Sequence, residues 1–302
     1  MCAARQKVLV VVMGPTAVGK TAVAIELAKH LKTEIVSADS RQLYKEIDIG
    51  TAKPNVSELQ EVKHHYISEV PLEMNYSAGQ YGRDANVLID RLFESFDHVV
   101  LCGGSGLYIR AILEGFDDMP EVTEKVRNEV IKDYEQHGLK WLQQQVLSGD
   151  PEYFAKVDKS NPQRLMRALE IMRATGQKSS GLRKNEVQVR HYKVVKVGLD
   201  LPREELYDRI NRRVDRMIEV GLVEEAKGLY PRKSLNALQT VGYQELFGHF
   251  DGAYDFEEAV RLLKRNTRRY AKRQMTWFGK EADIQWFSPG EFRKIIKYIN
   301  GE

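Results

Sequence analysis

The sequence predicts an α/β fold: a P-loop parallel-sheet core with helices on both faces and an inserted all-helical domain. Three observations carry this. Short apolar runs alternate with amphipathic helical segments through roughly the first third of the chain, the pattern of a parallel sheet with both faces covered. A glycine-rich loop, Gly14-Pro15-Thr16-Ala17-Val18-Gly19-Lys20-Thr21, joins the first apolar run to the first helical segment. Helical periodicity alone then runs from about Pro120 to Gly181, after which strand character returns. The expected boundaries are 1–115 and 189–302 for the core and 116–188 for the insertion.

The elements follow in order. Val8 to Met13 is wholly apolar and reads as a buried strand, and Thr21 to Leu31 reads as a helix. A second strand, Glu34 to Ser37, ends at Ala38-Asp39-Ser40. Ser77 and Gln80 form a capping-box signature that opens a helix to about Phe96. A third strand, His98 to Cys102, stops at Gly103-Gly104-Ser105-Gly106. In the insertion, helical segments near 123–137, 138–147 and 162–175 are separated by Gly138 and by Gly149-Asp150-Pro151. Lys178 to Glu186 is the expected flexible hinge, and Tyr192 to Leu199 and Ile284 to Phe287 return to strand character. Ligands of open parallel sheets sit beyond the carboxyl ends of the strands. The phosphate loop, Asp39-Ser40 and Gly103 to Gly106 are therefore expected to converge on one crevice.

The loop has a defined chemistry. Its glycines let backbone N–H groups turn inward, and the helix N-terminus behind them favours an anion. Lys20 adds a full charge and Thr21 a hydroxyl suited to Mg²⁺. The eight residues Gly14 to Thr21 thus read as a site for a di- or triphosphate. The third strand ends in Cys102-Gly103-Gly104, without the aspartate that helps handle Mg²⁺ in many nucleotide hydrolases.

Composition narrows the partners. The 302 residues are 42% hydrophobic and 29% charged, ordinary for a soluble globular protein, with a formal net charge of +3. Two cysteines, Cys2 and Cys102, give neither a disulfide framework nor a metal cluster, which fits a cytoplasmic protein. The apolar runs are too short to cross a bilayer, so no membrane partner is expected. The positive charge is segregated: Arg261 to Lys280 carries eight Lys/Arg and no Asp/Glu, and Ser160 to Arg216 carries fourteen basic against seven acidic residues. Clustering of this kind beside a phosphate loop points to a nucleic acid. Nothing suggests an obligate assembly, and a monomer is expected.

Taken together, GPTAVGKT (14–21), SADSRQLYKEIDIGTAKP (37–54), HHYIS (64–68), GGSGLY (103–108), NPQRLMRALE (161–170), VGYQE (241–245) and RRYAKRQMTW (268–277) resemble the tRNA dimethylallyltransferases of bacterial type. The motifs occur in family order and span nearly the whole chain. The resemblance implies transfer of a dimethylallyl group from dimethylallyl diphosphate to N6 of the tRNA adenosine immediately 3′ of the anticodon, with Mg²⁺ and release of diphosphate. It implies that the phosphate loop holds the isoprenoid diphosphate, and that Asp39 is the general base that takes the N6 proton. It places Lys20, Ser105 and Arg213 around the leaving group. It assigns contacts to the tRNA anticodon stem-loop to Asp39, Ser40, Arg41, Gln42, Ser105, Arg127, the segment Gln163, Arg164, Leu165, Met166 and Arg167, and the segment Gln239, Thr240, Val241, Gly242, Tyr243 and Gln244. The family usually has threonine where Ser105 sits; serine keeps the hydroxyl.

The residues by themselves leave more open. Asp39 at a strand end can equally cap a turn. Asn161-Pro162 makes a good helix start, with Gln163 and Arg167 on one face. Arg213 cannot be told from Arg209 or Arg212. His64-His65 lacks a carboxylate or cysteine at ligand spacing, so zinc is not expected. Cys102, Trp277 and Trp286 read as core. An ATP-dependent small-molecule kinase and a nucleotide-switched RNA-binding protein remain alternative readings of the same loop.

Overall fold

The computed structural model describes residues 6–117, 119–183, 188–281 and 283–302. Cys2 and residues 184–186 of the expected hinge lie outside the described residues. The chain divides into two compact units: the part up to Leu113 together with Val189–Glu302, and Glu114–Gln188.

The first unit is built on a six-stranded parallel sheet: β1 (Val8–Met13), β2 (Ile35–Ser37), β3 (His64–His65), β4 (His98–Gly103), β5 (Lys193–Leu199) and β6 (Gln285–Phe287), in the order β3-β2-β4-β1-β5-β6. β1 is central and every one of its residues is buried, because side chains on both of its faces meet helices. Leu9, Val11 and Met13 pack into one core layer, and Val8, Val10 and Val12 into the other. The layer containing Val10 is filled by α1 (Lys20–Leu31) and the chain-terminal Phe292–Asn300 helix through Leu27 and Ile295. In register, Met13 of β1 lies opposite Gly103 of β4 and Gly198 of β5, so both neighbours end level with the phosphate loop. Strand order reverses at β1, which places the loop at the switch point where such sheets bind ligands.

The remaining helices of this unit are α2 (Val56–Glu61), α3 (Ala78–Ser95) and α4 (Gly106–Leu113) before the insertion. In the insertion, α5 (Glu124–Gly149), α6 (Pro151–Lys156), α7 (Pro162–Thr175) and α8 (Ser179–Leu182) follow. After it come α9 (Arg203–Glu219), α10 (Leu222–Leu229), α11 (Tyr243–Phe250), α12 (Phe256–Phe278) and α13 (Phe292–Asn300). His64–His65 is an edge strand that the sequence pattern did not announce. At two residues it is too short to show a period. Ser77 does cap α3, accepting the Gln80 N–H at 3.1 Å, but the capping box is only half made. The Gln80 amide is drawn instead to Asp84, one turn on.

The second unit has its own core of Val130, Leu142, Val146, Tyr153, Leu165, Ala168 and Leu169. Gly138, with φ 75° and ψ −174°, breaks α5 into two stretches. Asp150 caps α6 through the Tyr153 N–H at 3.0 Å and also takes the Ser180 N–H at 2.7 Å, tying α8 to α6. No helix among the described residues is long and apolar enough to cross a membrane.

Candidate active site

The phosphate loop is shaped by backbone geometry that few residues tolerate. A side chain at Gly14 would put its Cβ 2.4 Å from the Leu199 carbonyl oxygen, and Gly19 caps α1 at φ 110°. The Lys20 ammonium donates to the Pro15 carbonyl at 2.8 Å. Gln274 of α12 locks the loop from outside: its Oε1 accepts the Thr16 N–H at 2.8 Å and its Nε2 donates to the Gly104 carbonyl at 2.8 Å. One buried amide therefore joins the ends of β1 and β4.

A cavity of about 380 Å³ opens at this point, and Thr16, Lys20, Asp39, Arg209, Arg213 and Gln274 are among its walls. Thr21, Arg41, Gln42, Thr240, Val241 and Gly242 also reach it. Burial pushes the Lys20 ammonium down to about 8, with Asp39 opposing the shift and Arg213 adding to it. Burial likewise lowers Arg213, again opposed by Asp39. A site that destabilises its own cations in this way gains most when an anion enters.

Asp39 does both things that its position allows. Oδ1 caps the turn after β2, accepting the N–H groups of Arg41 at 2.9 Å and Gln42 at 3.3 Å. Oδ2 accepts no hydrogen bond from the described residues, and the carboxylate borders the cavity.

The three arginines of α9 separate by helical geometry. Arg209 and Arg213, four residues apart, both face the cavity, whereas Arg212 points to solvent and pairs with Asp208. Arg209 lies against the phosphate loop: a Cβ placed on Gly19 would be 3.4 Å from its Nη2. Ser105 stands one layer back. It is not among the cavity walls; its hydroxyl accepts the Ser40 N–H at 3.0 Å and donates to the Ser40 hydroxyl at 3.2 Å. Tyr270 lines the cavity, and burial pushes its phenol up to about 12.

Two assigned RNA contacts need correction. Tyr243 is wholly buried, its ring against Gly50 and its hydroxyl bonded to Glu225, so its side chain is core and offers no surface to RNA. Leu165 is equally buried, in the core of the second unit, because its place on α7 faces Leu142 and Val146. Of its neighbours, Gln163 and Arg164 are exposed, Met166 is half-buried against the same core, and Arg167 pairs with Glu170 at 3.1 Å. Arg127 is 4.0 Å from the same glutamate. Gln239 and Gln244 are exposed and hydrogen-bonded to each other at 2.8 Å.

His65 has a carboxylate partner that spacing could not reveal, Glu34 Oε2 at 2.6 Å. No group of three metal-ligating side chains exists among the described residues. Cys102 is not purely core, since it borders the cavity; burial holds its thiol up at about 11, so it stays protonated near neutrality. Trp277 and Trp286 are only partly buried against the core.

Gln274, Tyr270 and Arg209 were not singled out by sequence reasoning. A signal was present for the first two. Leu263, Thr267, Tyr270 and Gln274 recur at helical spacing on α12 and form one stripe that lines the cavity, with polar groups where a core stripe would be apolar.

This fold and site define an α/β protein whose cavity sets the carboxylate of Asp39 beside a glycine-rich loop, Lys20 and two arginines. The family model described as IPP transferase matches residues 42–281. The tRNA dimethylallyltransferase of Cytophaga hutchinsonii is 47% identical over 98% of this chain and 97% of its own length. The full-length tRNA isopentenylpyrophosphate transferase of Bacillus halodurans, a solved structure, shares 38% identity at a TM-score of 0.72, covering 98% of this chain and 96% of that one. The Staphylococcus epidermidis tRNA isopentenylpyrophosphate transferase gives 32% identity and a TM-score of 0.70 over 98% and 99% of the two chains. The chain belongs to the IPP transferase family, the tRNA dimethylallyltransferases that its motifs resemble.

Proposed function

We propose that this protein transfers a dimethylallyl group from dimethylallyl diphosphate to N6 of the adenosine 3′ of the anticodon in tRNA. The observation that carries the reading is the shared cavity: Asp39 and the cations Lys20, Arg209 and Arg213 line the same space. The N6 lone pair attacks C1 of the allyl group as the C1–O bond breaks. The bonding electrons leave with the diphosphate, and the N6 proton passes to Asp39. Loop amides, Lys20 and the two arginines meet the charge that grows on the leaving group. Ser105 holds the Asp39 side of the site through Ser40.

The donor set fits Mg²⁺, which takes few protein ligands and completes its shell with phosphate oxygens and water. Thr21, on the first turn of α1 and open to the cavity, is the residue that would hold it. When bound, the ion supplies charge neutralisation at the diphosphate.

Extruding a stacked base requires compensating contacts. Exposed Gln163, Arg164, Gln239 and Gln244, with Arg167 and Arg127, are proposed to supply them, together with Asp39 to Gln42 and Thr240 to Gly242 at the cavity. The same proposal has the protein acting in the cytoplasm as a monomer. Incubation with dimethylallyl diphosphate, Mg²⁺ and unmodified tRNA, followed by nucleoside analysis, tests it: N6-isopentenyladenosine is expected, and its absence would overturn the assignment.

A further inference from the structure

The carboxylate of Glu225, on α10, collects four donors and no cation among the described residues. Oε2 accepts the N–H groups of Asp48 at 3.0 Å and Ile49 at 2.8 Å. Oε1 accepts the Gly50 N–H at 2.9 Å and the Tyr243 hydroxyl at 2.5 Å. Three consecutive amides closing on one anion form a nest, here filled by a side chain 175 to 177 residues away. The fit is close: a Cβ on Gly50 would fall 2.4 Å from the Tyr243 ring, so only glycine brings this backbone into place.

The loop so held is a wall of the cavity, through Gly50, Thr51 and Ala52. Its carbonyls in turn anchor Gln42, whose Nε2 donates to Thr51 O at 3.1 Å and Ala52 O at 3.0 Å. The Gln42 N–H is one of the two that hold Asp39 Oδ1. An unbroken chain of hydrogen bonds thus runs from Glu225 through the loop and Gln42 to the carboxylate. The phosphate loop is fixed separately, by Gln274.

We propose that Glu225 is a positioning residue for the acceptor side of the site, setting the Gly50–Ala52 wall and, through Gln42, the orientation of Asp39 toward the acceptor base. It rests on the transferase reading above. Glutamine at this position keeps the shape but replaces one accepting oxygen with an NH₂ group, leaving donors facing a donor.

Glu225→Gln and Tyr243→Phe test this in the full-length protein. For Glu225→Gln the expected result is a fall in kcat and a weakening of tRNA binding of about tenfold each, with the Kd for dimethylallyl diphosphate within about twofold of the parent. Amide exchange at residues 48–50 is expected to accelerate at least roughly tenfold, with protection of β1 and β4 unchanged. Tyr243→Phe removes one donor of four and is expected to act in the same direction and more weakly. Unchanged exchange at 48–50 would overturn the proposal, as would equal loss of diphosphate and tRNA binding, which marks general destabilisation. If the parent protein leaves tRNA unprenylated, the transferase reading fails by itself. Exchange at 48–50 and the Kd values for tRNA and diphosphate still decide the role of Glu225, a tRNA Kd equal to the parent's overturning it.

Discussion

The two units organise their functional side chains differently. In the α/β unit the walls of the cavity are braced by bonds that leap across the sequence, Gln274 to Thr16 over 258 residues and Glu225 to Gly50 over 175, while Asp39 itself is held by the amides of Arg41 and Gln42 just after it. In the helical unit the bonds along α7 are local. Asn161 caps its own helix through the Arg164 N–H at 3.2 Å, and Arg167 reaches Glu170 one turn on at 3.1 Å. The difference teaches where chemistry and recognition can reside. Long-range bonds fix the walls of a reacting site; local bonds leave exposed side chains free to adapt to a polyanion.

The sharpest way to break this contrast is Asp39→Ala. Losing the proton acceptor is expected to lower the turnover rate by roughly 10²–10⁴ while tRNA and diphosphate binding survive, as measured by single-turnover kinetics and equilibrium binding. Near-normal turnover would remove Asp39 from the chemistry and with it the division of labour.

The next effect in size is the pH dependence of diphosphate binding. Lys20 titrates at about 8 in the free protein and must carry its proton to meet the anion. Affinity for dimethylallyl diphosphate is therefore expected to be flat below pH 8 and to weaken by up to about tenfold per unit above it, with proton uptake on binding. Calorimetry in buffers of different ionisation enthalpy checks both. Uptake should vanish in Lys20→Met.

Arg164, exposed and without an ion-pair partner among the described residues, offers a milder probe of the helical unit. Arg164→Ala is expected to weaken tRNA binding a few-fold, reduce the salt slope by about one, and leave diphosphate affinity untouched. The smallest effect belongs to Arg212→Ala. Its guanidinium is exposed and, among the described residues, paired only with Asp208, so kinetics and stability are expected to change by less than about 0.5 kcal/mol. A large loss there would mean that the assignment of cavity-facing arginines on α9 is wrong.

Much of this was legible from the residues alone. The all-apolar run Val8 to Met13 can only be a strand covered on both faces, and the loop after it carries its conformational demands in its glycines. The helix that opens at Asn161-Pro162 does so with its cap in place. Asp39 was visible as a carboxylate at a strand end, although spacing could not say that one oxygen would cap a turn and the other stay open. Leu165 and Tyr243 show the limit in the other direction: a motif names a stretch, and burial then sorts its members.

What the sequence determined by itself is whatever rests on local forces: strand and helix type, the caps, the phosphate loop and the segregation of positive charge. The tertiary structure alone decided which arginines of α9 face the cavity, that Gln274 and Glu225 brace the site, and that Ser105 supports from behind. Each of those depends on two segments brought together by the sheet and its core, and no spacing along the chain encodes a distance between residues 65 or more positions apart.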